Sequence, residues 1–113
     1  MNKLELTNEK LLAEVISSKQ AGVISPELGR MLIELVTRLV NKPMYHHFTD
    51  KDDMINDALA NLCRNALKFK PEVSSNPFAF YTTCAIGSFI AYIAREKKAK
   101  LDPVLMRQFD QQL

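Results

Sequence analysis

Residues 77–98 read PFAFYTTCAIGSFIAYIAREKK, and the fold prediction starts from this segment. Asn76 provides a helix cap and Pro77 suits a first helical position, so a long helix is predicted from here to about Lys98. The apolar residues of the segment recur at helical spacing, at Phe78, Tyr81, Ala85, Phe89 and Tyr92. A stripe of this kind is the side on which a helix packs against the rest of its protein.

Two helices are predicted nearer the N-terminus. The first begins after Thr7 as an N-cap and stops at Gly22. The second begins at Ser25, a further cap followed by a proline, and ends before Pro43. Its apolar residues recur every three or four positions, at Leu28, Met31, Leu32, Leu35, Val36, Leu39 and Val40. Residues 7–43 are therefore predicted to form a helical pair.

The third predicted helix follows a connection that contains His46 and His47. Thr49, with Asp52 three residues later, resembles a capping box. Its apolar face contains Met54, Ile55, Ala58, Leu59, Leu62, Cys63, Ala66 and Leu67. The turn chemistry of residues 71–75 ends this helix.

The predicted fold class is all-α, a compact bundle of four main helices. Asp102 and Pro103 indicate a short C-terminal helix or tail over residues 101–113. No alternating apolar pattern predicts a strand, and no repeat period is visible. A chain of 113 residues suits a single domain over residues 1–113, with its third and fourth helices within residues 49–100.

The composition predicts a globular, cytosolic protein. Hydrophobic residues make up 47% and charged residues 25%, whereas disordered chains are poorer in apolar residues. No apolar run is expected to span a bilayer, which takes about 20 residues, and the N-terminus lacks a signal-peptide core. Cys63 and Cys84 fall on apolar stripes, where a thiol behaves as a buried hydrophobe. The net charge of +2 argues against a protein that coats nucleic acid through charge alone.

Enzymatic activity is not expected. Catalysis requires a base, a nucleophile or a metal held in fixed geometry. His46 and His47 are adjacent rather than four residues apart on a helix, and the sequence has no Gly-rich phosphate loop. The few Ser and Thr residues have no recognisable His and acidic companions. We therefore expect neither a catalytic site nor a metal or other cofactor.

Two charged features remain, and they have opposite sign. The third helix begins with four carboxylates, at Asp50, Asp52, Asp53 and Asp57. Acidic residues favour a helix N-terminus, which is sufficient to explain Asp50 and Asp52. Asp53, Asn56 and Asp57 share a face that suits a basic partner.

The second feature is the basic end of the fourth helix, with Arg95, Lys97, Lys98, Lys100 and Arg107. A solvated helix end is one interpretation, because cations suit a helix C-terminus. Phosphate binding is the other, and the aromatic density of the same helix favours it. An apolar stripe explains several of these rings, so only those at its margin can face DNA.

The third and fourth helices resemble region 2 of bacterial sigma factors. That pattern is an acidic helix start, an apolar helix ending in a Lys-Phe-type step, a turn, and an aromatic-rich helix. Here it reads DMINDA at 53–58, LKF at 67–69, FAFYTT at 78–83 and IAYIAREKK at 90–98. The resemblance covers about residues 7–100 and is greatest to the late-transcription sigma factors of T-even bacteriophages, which also have Asn-Pro before the aromatic helix and a similar start at Asn8.

The resemblance implies a phage sigma factor that binds bacterial RNA polymerase core in the host cytoplasm. It would direct recognition and opening of promoter DNA at a −10-like element in late transcription. It implies contacts with the clamp coiled-coil of the largest polymerase subunit from Asp53, Asn56, Asp57 and Asn61. It also implies a DNA-binding set in which Tyr81 traps a flipped base, with Phe78, Phe80, Ser88, Arg95, Lys97 and Lys98 contributing. The three cations would contact phosphates.

Departures from the pattern keep other functions open. Cys84 and Ala85 occupy the positions of the paired Trp of primary sigma factors, and the chain has no Trp. The C-terminus does not match the tail that binds a sliding clamp, so it is predicted to bind a further phage transcription protein through Leu105, Met106, Phe109 and Leu113. The alternatives are a polymerase-binding sigma mimic without DNA recognition, acting as inhibitor or coactivator, and a helical protein-interaction module.

Overall fold

The computed structural model describes the backbone of residues 6–43 and 51–112 and the side chains of residues 6–43 and 51–97. This part of the chain contains four α-helices: α1 (Asn8–Ala21), α2 (Pro26–Val40), α3 (Lys51–Asn65) and α4 (Pro77–Gln112). A 3₁₀ turn, Ala66–Lys68, continues α3. None of the described residues forms a strand, and the all-α prediction is confirmed.

Side-chain and glycine caps set the limits of the first two helices. Thr7 Oγ1 accepts a hydrogen bond from the Lys10 backbone N–H at 3.2 Å. Gly22 ends α1 with a φ of +77°, a left-handed conformation that glycine adopts without strain. Ser25 Oγ accepts from the Leu28 backbone N–H at 3.0 Å and starts α2. These caps agree with the sequence-based limits of the N-terminal helical pair.

The hydrophobic core collects one stripe from each helix. The buried hydrophobic side chains that build it include Leu11 and Val15 from α1, Leu28, Leu32, Leu35 and Val36 from α2, Met54, Ala58 and Leu62 from α3, and Tyr81, Ala85 and Phe89 from α4. Burying a Leu or Phe side chain stabilises a fold by about 1.5 to 3 kcal/mol. The predicted stripe of α4 is therefore the part of that helix that holds it against the other three.

The fourth helix is longer than predicted. The sequence indicated an end near Lys98 and a separate short helix from Asp102, whereas α4 is one continuous helix of 36 residues. Once a helix is nucleated each further residue adds a hydrogen bond, and the Ala, Lys and Leu residues here are strong helix formers. Pro103 lies inside this helix. Because proline has no backbone N–H, the helix lacks one backbone hydrogen bond at that position.

Two further expectations are corrected. Cys63 is exposed rather than part of the apolar face of α3, because it lies about 100° around the helix from the buried Leu62.

The segment Pro77–Lys97, with 21 residues and a mean hydropathy of 1.4, is long and apolar enough to cross a membrane by length and composition alone. The same segment supplies core residues, and the core helix of a soluble protein meets the same criteria.

Candidate functional site

Tyr81 is a core residue. Its side chain is fully buried, and its hydroxyl donates a hydrogen bond to the backbone carbonyl of Ala66 at 2.6 Å. Desolvation by burial, with a smaller contribution from Cys84, raises the pKa of the phenol well above its usual value of 10.0. The predicted role of Tyr81 as the ring that traps a flipped base is therefore wrong, because neither ring face is open to a ligand. Its place in the stripe with Ala85 and Phe89 was the sequence signal for the core.

Phe80, the next ring along the chain, has a different environment. It is half-buried and contacts Phe69 edge to face, with ring centroids 5.4 Å apart, and Tyr81 at 5.3 Å. It also lines an open cavity of about 620 Å³ beside Phe69, here termed the aromatic cavity. Lys68 and Lys70 line the same cavity. The structure therefore brings a partly accessible ring together with two exposed lysine residues.

The two lysines were missed as candidate site residues. Lys68 belongs to the Lys-Phe step of the sigma region 2 pattern, and Lys70 belongs to no motif of the sequence. The alternation of Lys68, Phe69 and Lys70 was the available signal, but its meaning depends on how the turn packs. Lys19 Nζ donates a hydrogen bond to the Phe69 carbonyl at 2.7 Å and holds this turn against α1.

Phe78 is separated from the aromatic cavity. It is half-buried and packs against the hydrophobic core, and it is not among the residues that line the cavity. Its backbone N–H donates to Asn8 Oδ1 at 3.0 Å, which joins the starts of α4 and α1. Of the three rings predicted to bind DNA, Phe80 is the one that lines the aromatic cavity.

Asn61 and Ser88 bind each other across α3 and α4. Asn61 Nδ2 donates to Ser88 Oγ at 2.8 Å and to the Cys84 carbonyl at 3.3 Å. Asn61 Oδ1 in turn accepts from Asn65 Nδ2 at 2.9 Å. Ser88 is only 8% exposed, so the prediction that it contacts DNA is wrong. Asn61 is half-buried with its carboxamide bonded internally, and its geometry is that of a link between helices rather than a polymerase contact.

Asp57 and Arg95 also meet, although they were predicted to bind different partners. Arg95 Nη2 lies 2.7 Å from Asp57 Oδ2, and the two side chains are 61% and 41% exposed. The guanidinium also lies 5.9 Å from the Tyr92 ring centroid. The acidic and basic features of the sequence are therefore in contact at this point.

The other predicted residues are exposed or lie outside the description. Asp53 and Asn56 are exposed at the start of α3, and Lys97 is exposed on α4. The remaining side chains lie outside the described residues: His46, His47, Lys98, Leu105, Met106, Phe109 and Leu113. Among the described residues, no group of three or more His, Cys, Asp or Glu side chains is arranged to hold a metal ion.

Comparisons with known proteins add no assignment: no protein-family model matches the chain, and no curated protein matches it. The function is therefore inferred from the residues of α3 and α4 and from their resemblance to sigma region 2.

Proposed function

We propose that the chain is a phage sigma-like factor that binds bacterial RNA polymerase core in the host cytoplasm and stabilises unpaired promoter DNA in late transcription. The observation that supports it most directly is the aromatic cavity, where Phe80 borders open space beside Lys68 and Lys70. Stacking a base on an aromatic ring is worth about 1 to 3 kcal/mol for any base. Ammonium groups nearby attract the phosphates of the same strand.

In this proposal Phe80 takes the role that the sequence assigned to Tyr81. Extruding a base from a duplex costs a few kcal/mol, and stacking on Phe80 offsets part of that cost, which stabilises the open strand. Tyr81 positions Phe80 through their edge-to-face contact. The buried ring is thus a support for the accessible one.

Polymerase binding is assigned to the exposed acidic start of α3. Asp53 and Asn56 are exposed there, and Asp57 is half-exposed. A basic coiled-coil of the polymerase clamp is complementary in charge to this surface. The acidic start of α3 at Lys51 and the aromatic cavity beyond the C-terminal end of α3 would then bind polymerase and the unpaired base separately.

The test is transcription in vitro from phage promoters with purified bacterial core polymerase, with and without the chain. We expect a transcript that depends on the chain. Phe80→Leu should lower open-complex formation about tenfold, because an aliphatic side chain cannot replace ring stacking. Phe78→Leu is the matched control, since its ring lies outside the aromatic cavity. No chain-dependent transcript at any promoter would refute the proposal.

The second candidate is a polymerase-binding sigma mimic, and the burial of Tyr81 favours it because the expected base trap is sealed. Both candidates require the acidic surface, so Asp53→Lys should abolish binding to core polymerase. Glu9→Lys is its control, because Glu9 is likewise exposed and also lies in a first helical turn. The mimic is indicated if core binding depends on Asp53 while Phe80→Leu leaves every promoter complex unchanged.

A further inference from the structure

The side of α4 that faces away from the bundle is uncharged over most of its described length. Between Pro77 and Ala94 the sequence contains no Asp, Glu, Lys or Arg. Helical spacing places the exposed residues of this stretch on one side of the helix. This surface, here termed the outer side of α4, includes Ala79, Thr83, Ile86, Gly87, Ile90 and Ala94.

The fold leaves most of this apolar helix uncovered. The segment Pro77–Lys97 has a mean hydropathy of 1.4, but only 22% of its most apolar stretch is buried in the bundle. Ile86 and Ile90 on its outer side are 37% and 62% exposed. A helix that is apolar all round is normally covered on every side. Because the other helices cover only the inner side of α4, we expect something else to cover the outer side.

Ile33 on α2 shows what an ordinary exposed apolar residue looks like in this protein. Its side chain is 50% exposed. The same helix carries two ion pairs, Glu27 with Arg30 and Glu34 with Arg38. A single apolar residue on a charged helix surface needs no partner. The outer side of α4 differs because its apolar residues adjoin one another with no charge between them.

Exposed lysines lie at both ends of the outer side. Lys97 follows Ile90 by two helical turns, which places it on the same side of α4. At the other end Lys68 and Lys70 are exposed and line the aromatic cavity together with Ala79. An apolar helix side flanked by lysines is typical of helices that lie on anionic membranes, where the ammonium groups reach the lipid headgroups.

The charge of this region is positive. Between Lys68 and Lys97 the chain has four cations and two carboxylates, at Glu72 and Glu96. Glu72 is exposed, whereas Glu96 is half-buried on the inner side of α4. Asp57 of α3 also reaches α4, where it pairs with Arg95. The lysines at the two ends therefore present a positive charge to an anionic surface.

We propose that the outer side of α4 lies on the surface of an anionic membrane. Ile86 and Ile90 enter the boundary between headgroups and acyl chains, and the lysines at the two ends bind lipid phosphates. The inner side of α4 stays packed against the bundle, so the helix lies in the membrane plane and does not cross it. The inference does not rest on the proposed function.

A second copy of the chain fits the outer side less well. The uncharged surface from Ala79 to Ala94 is roughly 23 Å long and roughly 10 Å wide. Two copies face to face would bury roughly 500 Å², whereas a specific protein interface buries more than about 1,000 Å². A membrane has no such minimum, because each side chain that enters it and each cation near it contributes separately.

The test is sedimentation of the full chain with vesicles of pure phosphatidylglycerol or pure phosphatidylcholine. We expect binding to the anionic vesicles that weakens with salt, and much weaker binding to the zwitterionic ones. Ile90→Gln should weaken binding about tenfold, because a polar side chain replaces an apolar one that enters the membrane. Ile33→Gln is the matched control and should leave binding unchanged.

Lys97→Gln tests the contribution of charge. It should weaken binding to phosphatidylglycerol vesicles about fivefold, the contribution of one cation close to an anionic surface. Lys42→Gln is its control, because Lys42 is exposed just after the end of α2. Circular dichroism checks that each variant keeps its helix content.

A fluorescence measurement tests insertion directly. The chain contains no Trp, so a single introduced Trp reports its own surroundings. The emission of Ile90→Trp should shift to shorter wavelength on phosphatidylglycerol vesicles, and that of Ile33→Trp should not shift. Absence of binding to these vesicles would overturn the proposal. Binding that Ile90→Gln leaves unchanged would also overturn it, since attraction would then depend on charge alone.

Two further outcomes separate the membrane from other partners. If no vesicle is bound and Ile90→Gln abolishes a dimer in sedimentation equilibrium, the outer side is an interface between copies and the proposal is wrong. Ile90→Gln should not change binding of single-stranded oligothymidine, because the proposed function assigns the unpaired base to Phe80. Failure of vesicle binding therefore leaves the sigma-like function standing, and absence of a chain-dependent transcript leaves the membrane contact standing.

Discussion

The two sides of α4 differ in accessibility although both are apolar. On the inner side Tyr81, Ala85 and Phe89 are fully buried. On the opposite side Phe80 is only partly buried and a Cβ on Gly87 would meet open space. Successive residues on a helix are about 100° apart, so one position separates a core ring from a ring that a ligand can reach. Most aromatic residues of such a helix belong to its core. A ring that can bind a ligand lies one position outside the helical spacing of the buried residues.

The largest expected effect comes from removing the inner ring. Tyr81→Ala should lower the free energy of unfolding by about 3 to 5 kcal/mol, because it leaves a cavity and an unpaired Ala66 carbonyl. Phe80→Ala should cost less, since its ring is only partly buried. Urea denaturation followed by circular dichroism measures both. Equal losses for the two variants would show that the two sides of α4 do not differ as the structure indicates.

Tyr81→Phe isolates the hydroxyl from the ring. Below pH 10 the variant should be less stable by about 1 to 2 kcal/mol, because the Ala66 carbonyl loses its buried donor. Burial raises the folded-state pKa of Tyr81 above its unfolded value of 10.0. Its contribution to stability is therefore fully present below pH 10 and is lost as the pH rises further.

The measurement is the urea midpoint of both proteins between pH 8 and pH 11. We expect the wild type to lose more stability than Tyr81→Phe above pH 10, so that the two curves converge. All other ionisable groups are the same in both proteins and cancel in the difference. Parallel curves across this range would contradict the assignment of the buried phenol.

The fold was largely predictable from local signals. The caps at Thr7 and Ser25 and the apolar spacing of α2 and α4 each depend on residues close in sequence, and the structure agrees with them. The continuation of α4 past Lys98 was not predictable in the same way, because Asp102 and Pro103 are also a good helix start. A local signal cannot decide between starting a new helix and continuing an old one.

The candidate site was only partly predictable, since it depends on contacts between distant residues. Spacing identified the stripe that contains Tyr81, but only the packing of the turn after α3 reveals the lysines beside Phe80. The pairing of Asn61 with Ser88 and of Asp57 with Arg95 joins residues 27 and 38 positions apart. The resemblance to sigma region 2 assigned these four residues to external partners.

Ser88→Ala tests whether Ser88 is an internal link or a DNA contact. Loss of its hydrogen bond to Asn61 should cost about 0.5 to 1.5 kcal/mol of stability. Ser17→Ala is the control, because Ser17 is exposed in the interior of α1 and should change stability by less. Oligothymidine binding by the folded Ser88→Ala protein should remain unchanged. Weaker binding at unaltered stability would return Ser88 to the DNA-binding surface.

The smallest effect is expected where Asp57 of α3 pairs with Arg95 of α4. Both side chains are substantially exposed, so a double-mutant cycle with Asp57→Asn and Arg95→Gln should give a coupling of only about 0.2 to 1 kcal/mol. The coupling should decrease between low and high salt, because exposed charges are screened. The exposed pair of Glu27 and Arg30 within α2 is the reference cycle.

A weak coupling has a functional consequence that the cycle can measure. An ion pair of this strength is readily exchanged, so a basic surface that binds Asp57 would release Arg95 for a phosphate at little cost. A coupling well above 1 kcal/mol that resists salt would instead make the pair a fixed part of the α3–α4 packing. Arg95 would then be held in place, and this part of α4 would resemble its inner side more than the accessible side around Phe80.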